Sequence, residues 1–138
     1  MQTYSVLLAD DSDDDRLLFQ LALRKVPGLH LVGTALDGDQ VIAYLAGRGE
    51  FHDREKFPFP DLLFLDLKMP RVTGFDVLDW LKNQKPKPFV AVLSGSELET
   101  DVRRALALGA DIYNVKPPSC ESYVGILKTV SEHLRRPA

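Results

Sequence analysis

Five short, mostly apolar runs alternate along the chain with segments whose apolar residues recur at helical spacing. The runs are Thr3–Ala9, Leu29–Ala35, Leu62–Leu65, Phe89–Leu93 and Asp111–Val115. Strands separated by helices run parallel, because the connection between them crosses the sheet in a right-handed sense. The alternation therefore predicts a doubly wound α/β fold, in which helices cover both faces of one parallel sheet.

Apolar spacing and capping residues predict the helices between these strands. The first helix is indicated by Leu17, Leu18, Leu21 and Ala22, and Asp37 is the predicted N-cap of the second. Three further helices are predicted near residues 75–81, 101–110 and 123–134.

The length and charge of the chain limit its organisation and its partners. We expect residues 1–138 to form a single domain without a separate output domain. A net charge of -3 with scattered basic residues disfavours nucleic-acid binding. The sequence contains neither a signal-peptide core nor an apolar stretch of membrane length, and its one cysteine cannot form an internal disulfide. These features predict a cytoplasmic protein that does not bind membranes.

Polar residues follow four of the predicted strands at the point where each strand ends. They are Asp10 and Asp11 after the first strand, Asp66 after the third, Ser94 after the fourth and Lys116 after the fifth. A lone acidic pair is more often a helix cap or a solvated turn. Because doubly wound sheets bind ligands outside the carboxyl ends of their strands, the joint pattern instead predicts one converging site.

The converging groups suit phosphoryl chemistry. Two or three carboxylates are typical ligands of Mg²⁺, a hard cation that also binds phosphate oxygens. The ammonium group of Lys116 and the hydroxyl group of Ser94 can each donate to a phosphoryl oxygen. A carboxylate can attack phosphorus when the charge of the donor is neutralised, and Asp66 is the predicted nucleophile.

Four stretches resemble the signatures of the response-regulator receiver domain of two-component signalling. They are "LLADDS", "LLFLDLKMPRVTGFDVL", "VLSGS" and "GADIYNVKP", and the resemblance runs nearly end to end. In its spacing and its long loop, the chain is most similar to the stand-alone receivers that partner bacterial phytochrome histidine kinases. The resemblance implies a flavodoxin-like (βα)5 fold with the strand order 2-1-3-4-5.

The resemblance also implies a role for each residue of the site. Asp66 would accept phosphate from a kinase phosphohistidine. Mg²⁺ would be bound directly by Asp11, Asp66 and the backbone carbonyl of Lys68, whereas Asp10 would act mainly through water.

A second group of residues would sense the phosphoryl group. Ser94 and Lys116 would contact it, and Tyr113 would change rotamer when Ser94 moves. The resemblance further implies a cis peptide bond between Lys116 and Pro117, which X-Pro pairs adopt only occasionally.

The acidic stretch at residues 10–15 is predicted to have two functions. Its first two aspartates would bind the cation. Ser12 would lie in a turn, Asp13 would cap the first helix, and Asp14 and Asp15 would be first-turn acids favoured by the helix dipole.

Two features leave alternatives open. Lys68 and Ser96 correspond to family positions that tune the loss of phosphate, and Lys68 either screens the acyl phosphate from water or contributes only its carbonyl. The loop at 47–60, which contains Phe51, Phe57 and Phe59, either meets a kinase or a second copy, or packs onto its own domain.

The resulting prediction is a switch and not an ordinary enzyme. Phosphorylation would alter the surface around the fourth helix, fifth strand and fifth helix. Through this surface the protein would dock a downstream protein, form a homodimer or pass the phosphoryl group to a phosphotransfer protein.

One alternative is a Mg²⁺-dependent haloacid-dehalogenase-like phosphohydrolase. Such enzymes carry a second acid where this chain has Lys68. The other alternative is an inert receiver-like scaffold.

Overall fold

The computed structural model describes residues 2–135, and all five predicted strands form one parallel sheet. Residues 1 and 136–138, the ends of the predicted single domain, lie outside the described residues. The elements are β1 (Tyr4–Ala9), α1 (Asp13–Leu23), β2 (Leu29–Ala35), α2 (Gly38–Ala46), a 3-10 helix (Gly49–His52), β3 (Leu62–Leu65), α3 (Gly74–Leu81), β4 (Phe89–Ser94), α4 (Glu99–Ala107), β5 (Ile112–Val115) and α5 (Cys120–Arg135). The strand order is β2-β1-β3-β4-β5, which confirms the predicted flavodoxin-like topology.

The central strand β3 explains why its sequence is apolar throughout. Leu63 and Leu65 belong to the core on one face of the sheet, and Leu62 and Phe64 belong to the core on the other. Because helices cover both faces, neither set of alternating side chains reaches water. Among residues 2–135, no helix is both long and apolar enough to cross a membrane.

The hydrogen-bond ladder of the sheet continues past the strand ends into the polar residues. The amide of Asp10 donates to the carbonyl of Ala35 (3.0 Å), and the amide of Asp66 donates to that of Ala9 (2.9 Å). The amide of Lys116 donates to the carbonyl of Ser94 (2.8 Å). The sheet therefore fixes the backbone from which these side chains project.

Helix α1 differs from its prediction in its cap and in its buried face. Ser12 and not Asp13 is the N-cap, because its backbone is extended and its hydroxyl accepts from the amide of Asp15 (3.2 Å). Leu17 and Leu21 are 59% and 39% exposed, whereas Phe19 is buried. Phe19 sets the orientation of the helix, since its ring packs edge-on against Phe64 at 4.9 Å and Tyr123 at 6.3 Å. The residues of this contact come from α1, β3 and α5.

The loop at 47–60 packs onto its own domain, as one of the two alternatives predicted. Phe51 and Phe57 lie 5.1 Å and 6.1 Å from the ring of Tyr44 on α2. Arg54 donates to the carbonyls of Tyr44 (2.8 Å) and Leu45 (2.9 Å) at the end of α2, where the Tyr44 carbonyl also accepts from the amide of Gly47. The aromatic residues of this loop are half-buried and pack against the core around α2.

Asp37 caps α2, as predicted, and joins it to the loop after β3. Its carboxylate accepts from the amide of Gln40 (2.9 Å) and from the guanidinium of Arg71 (2.7 Å), although it is buried. The Gln40 bond lowers the pKa of Asp37 below its ordinary value of 3.8; burial opposes this change and Arg71 adds to it.

We expect Asp37→Ala to lower the free energy of unfolding by about 2 kcal/mol, because the helix loses its cap and Arg71 loses its partner. Asp37→Asn should cost less at pH 7, since an amide still caps. A lowered pKa in the folded state means that the ionised carboxylate stabilises the protein above pH 3.8, and that this stability is lost as the pH falls through the folded pKa. Chemical denaturation should therefore show the difference between wild type and Asp37→Asn narrowing in acid. A difference that stays constant from pH 7 to about pH 3 would contradict the assignment.

Candidate functional site

Three carboxylates meet at the carboxyl edge of the sheet. Asp10 and Asp11 follow β1 and Asp66 follows β3, its neighbour, so that one oxygen from each carboxylate lies within 4.8 Å of the others. Asp10 and Asp66 are only 3% and 5% exposed, whereas Asp11 is exposed. Carboxylates this close together repel one another unless a cation lies among them, and burial of two of them strengthens the repulsion.

Lys116 supplies a positive charge to this cluster. Its Nζ atom lies 2.9 Å from Oδ2 of Asp10, 3.1 Å from Oδ2 of Asp66 and 2.7 Å from Oδ2 of Asp15. Burial alone would lower the pKa of Lys116, but the hydrogen bonds that its ammonium donates to Asp15 and Asp10 and the charge of Asp66 raise it above the ordinary value. The lysine therefore stays charged, with three carboxylate oxygens within 3.1 Å of its Nζ atom.

Asp66 is a buried acid whose pKa is shifted by its surroundings. Burial raises the pKa of Asp66, the charge of Lys116 and the amide of Lys68 (3.2 Å from Oδ1) lower it, and the charge of Asp10 raises it further. The net direction is upward, so its ionised form costs stability that a bound cation would restore. A carboxylate with little hydration is also a better nucleophile than one in water.

The backbone after Asp66 is held by close packing. The amide of Gly74 donates to the carbonyl of Leu67 (3.0 Å), and a Cβ atom at position 74 would meet the backbone of Asp66 and Leu67. Lys68 lies in this turn with its side chain exposed. Within residues 2–135 that side chain pairs with no acid, so both interpretations of Lys68 stay predictions.

The two residues predicted to act as the switch are joined through a third, Ser96. Ser94 is fully buried, and its hydroxyl accepts from the amide of Ser96 (3.2 Å). The carbonyl of Ser96 accepts from the hydroxyl of Tyr113 (2.8 Å), while its own hydroxyl donates to Asp101 on α4 (2.5 Å). Ser96 thus connects Ser94, Tyr113 and the first turn of α4.

Two residues of α1 reach the site although the sequence did not assign them to it. Asp15 was predicted only as a first-turn acid, but its carboxylate binds Lys116. The side chain of Arg16 donates to the backbone carbonyl of Asp10 (2.8 Å). Helical side chains point back towards the N-terminus of their helix. An acid at the third position of a helix that begins just after a strand could therefore have been predicted to reach the site at the end of that strand.

The predicted cis bond between Lys116 and Pro117 is wrong. Among residues 2–135, the cis peptide bond lies between Lys85 and Pro86 instead. The trans form is the lower-energy form of most X-Pro pairs, by about 0.5–1 kcal/mol, and the Lys116–Pro117 bond adopts it.

Known proteins share both the sequence pattern and the fold. The model of the response regulator receiver domain family matches residues 6–128. A protein-glutamate methylesterase/protein-glutamine glutaminase of Anaeromyxobacter dehalogenans is 40% identical over 116 residues, which cover 84% of this chain. They cover only 30% of that protein, so its esterase activity is not assigned to this chain.

Two solved structures match nearly end to end. The phosphorylated cyanobacterial phytochrome response regulator RcpA is 29% identical with a TM-score of 0.84, covering 99% of this chain and 96% of that one. The Mn²⁺-bound form of the response regulator Rcp1 is 30% identical with a TM-score of 0.83, covering 98% and 99%. The family match, the strand order and the acids at the strand ends agree, and the chain belongs to the response-regulator receiver domain family of two-component systems, with phytochrome response regulators among its structural neighbours.

Proposed function

We propose that the chain accepts a phosphoryl group from a sensor histidine kinase on Asp66, in a Mg²⁺-dependent reaction that switches its partner-binding surface. The observation that carries this proposal is the set of Asp10, Asp11 and Asp66 carboxylates within 4.8 Å of one another, with the ammonium of Lys116 bound to two of them. Receivers of phytochrome systems match the chain over almost its whole length, which favours a phytochrome-type kinase.

The donor set fits a magnesium ion. All three carboxylates supply hard oxygen ligands, the type that Mg²⁺ prefers. Asp11, Asp66 and the backbone carbonyl of Lys68 would hold the ion directly, and Asp10 would act mainly through water. When bound, Mg²⁺ would supply the positive charge that lets an anionic phosphoryl group approach a carboxylate.

The transfer itself would use the side chains at the ends of β3, β4 and β5. One carboxylate oxygen of Asp66 forms a bond to phosphorus as the bond between phosphorus and the donor imidazole nitrogen breaks. The nitrogen keeps the electron pair of that bond and takes a proton from solvent. Lys116 and Ser94 would then donate to oxygens of the acyl phosphate.

The switch would act through the contacts of Ser96. A Ser94 hydroxyl drawn towards the phosphoryl group would release the amide of Ser96, whose carbonyl holds Tyr113 and whose hydroxyl holds Asp101. Movement of this turn would favour a different arrangement of α4 and β5. Three exposed apolar side chains occur in this region and suit contact with a downstream protein, a phosphotransfer protein or a second copy: Leu98, Leu106 and Val115.

We expect the protein mixed with Mg²⁺ and a small phosphodonor to gain one phosphoryl group, measured by intact-protein mass spectrometry. Chelation of Mg²⁺ should prevent the gain, because the carboxylates then repel the donor. A phosphohydrolase would instead turn over phosphate esters many times and show no lasting adduct. An inert scaffold would show neither result. Transfer from an autophosphorylated phytochrome histidine kinase then tests the proposed type of kinase.

A further inference from the structure

Asp15 makes the shortest of the three contacts to Lys116. Its Oδ2 atom lies 2.7 Å from Nζ, compared with 2.9 Å for Asp10 and 3.1 Å for Asp66. Asp15 belongs to α1, whereas the other two acids follow strands of the sheet. The ammonium is thus bound from two directions, by the sheet edge and by the first helical turn.

The position of Asp15 is fixed by the cap of α1. Its amide donates to the hydroxyl of Ser12 (3.2 Å), so its Cα atom is set by the same contact that starts the helix. Arg16, the next residue, binds the backbone carbonyl of Asp10 (2.8 Å) and ties this turn to the end of β1. Because the backbone of this turn is fixed, the carboxylate of Asp15 can move relative to the sheet edge only by rotation about its own side-chain bonds.

Asp15 also differs from the other two acids in the contacts of its carboxylate. Asp10 accepts from the amide of Ser12 (2.9 Å), and Asp66 accepts from the amide of Lys68 (3.2 Å). Both belong to the group of carboxylates that suits a cation, whereas Asp15 does not. Within residues 2–135, the only side-chain partner of the Asp15 carboxylate is Lys116.

We infer that Asp15 is a positioning residue, which keeps the ammonium of Lys116 beside Asp66 while the oxygens of Asp10 and Asp66 are occupied by the cation and the phosphoryl group. The inference rests on the proposed function. A positioning role and a purely electrostatic role of Asp15 predict opposite changes in the rate of phosphoryl acceptance when its carboxylate is removed. A fourth carboxylate that acted only through its charge would repel the phosphodonor, and its removal would speed the reaction. Loss of a positioning contact slows it.

The test compares Asp15→Asn with Asp14→Asn, since both remove one negative charge from the same turn and Asp14 is exposed. The rate of phosphoryl acceptance is measured at saturating Mg²⁺ and phosphodonor. We expect a roughly tenfold loss of rate in Asp15→Asn, the difference between a hydrogen bond from the ammonium to a carboxylate and one to a neutral amide oxygen. Asp14→Asn should stay within about twofold of wild type, as expected for a screened surface charge.

A second measurement needs neither metal nor phosphate. In the presence of a metal chelator, the free energy of unfolding is measured for wild type, Asp15→Asn, Lys116→Met and the double variant. If the two side chains act together, Asp15→Asn costs less in the Lys116→Met background than in wild type. Additive effects would overturn the inference.

The kinetic outcomes separate the inference from the proposal beneath it. If wild type accepts phosphate on Asp66 and Asp15→Asn is as fast as Asp14→Asn, or faster than wild type, the positioning role is wrong and the proposed function stands. If wild type takes up no phosphoryl group, the proposed function fails, and the inference fails with it.

Discussion

Asp11→Ala is expected to abolish Mg²⁺-dependent phosphoryl acceptance while leaving the fold intact. Asp11 is exposed, and within residues 2–135 its side chain makes no hydrogen bond or ion pair, so its loss removes no folding contact. Its carboxylate oxygen is nevertheless one of the three that lie within 4.8 Å of one another. Removing one of three charged ligands should weaken Mg²⁺ binding about 30- to 150-fold, because each hydrogen-bonded or liganded charge contributes on the order of 2–3 kcal/mol.

The control for this prediction is Asp14→Ala. Asp14 is also exposed and stands in the first turn of α1, but it does not belong to the carboxylate cluster. Its loss should cost about 0.5 kcal/mol of stability through the helix dipole and leave phosphorylation unchanged. The measurement is the rate of phosphoryl acceptance as a function of Mg²⁺ concentration. An Asp11→Ala variant that reaches the wild-type rate at the same Mg²⁺ concentration would contradict the assignment of the site.

Gly74→Ala is expected to destabilise the protein by about 2–3 kcal/mol, the upper part of the range for overpacking. The added Cβ atom would lie 2.7 Å from Cα of Leu67 and well under 3.0 Å from the carbonyl oxygen of Asp66. Both are backbone atoms, so no side-chain rotation can relieve the clash. The chain can escape only by moving the turn that carries Asp66, and the folded protein should therefore also accept phosphate more slowly.

Gly125→Ala is the matched control for this substitution. Nothing lies within 4 Å of a Cβ atom added to Gly125, which is inside α5. Alanine there should stabilise the helix by about 0.5–1 kcal/mol. Denaturant midpoints and phosphorylation rates measured under conditions where every variant is folded check both effects. Equal stabilities of the two variants would contradict the predicted clash between the Cβ atom at position 74 and the backbone of Asp66.

The sequence predicts the sheet and the acids at its edge for one physical reason. A strand buried on both faces must be apolar throughout, so the first polar residue after "LLFL" marks both its end and the start of the rim, and that residue is Asp66. The strand order puts Asp10 and Asp66 on neighbouring strands, which explains why positions 56 residues apart share one lysine.

Features set by packing across elements could not be predicted in this way. The contact between Asp15 and Lys116 spans 101 positions and depends on how α1 leaves β1. The orientation of α1 depends on Phe19 meeting Phe64 and Tyr123, and apolar spacing alone also allows a face that contains Leu17. The cap at Ser12 was missed because serine and aspartate cap helices almost equally well, so only the backbone conformation decides between neighbours.

Phosphoryl transfer to Asp66 is tested by mapping the position of the phosphate on the protein. Protein treated with Mg²⁺ and a small phosphodonor is reduced with borohydride, which converts an aspartyl phosphate into homoserine, and its peptides are sequenced by mass spectrometry. We expect homoserine at position 66 alone and no phosphoryl gain in Asp66→Asn. Homoserine at another aspartate in wild type, or undiminished phosphoryl gain in Asp66→Asn, would contradict it.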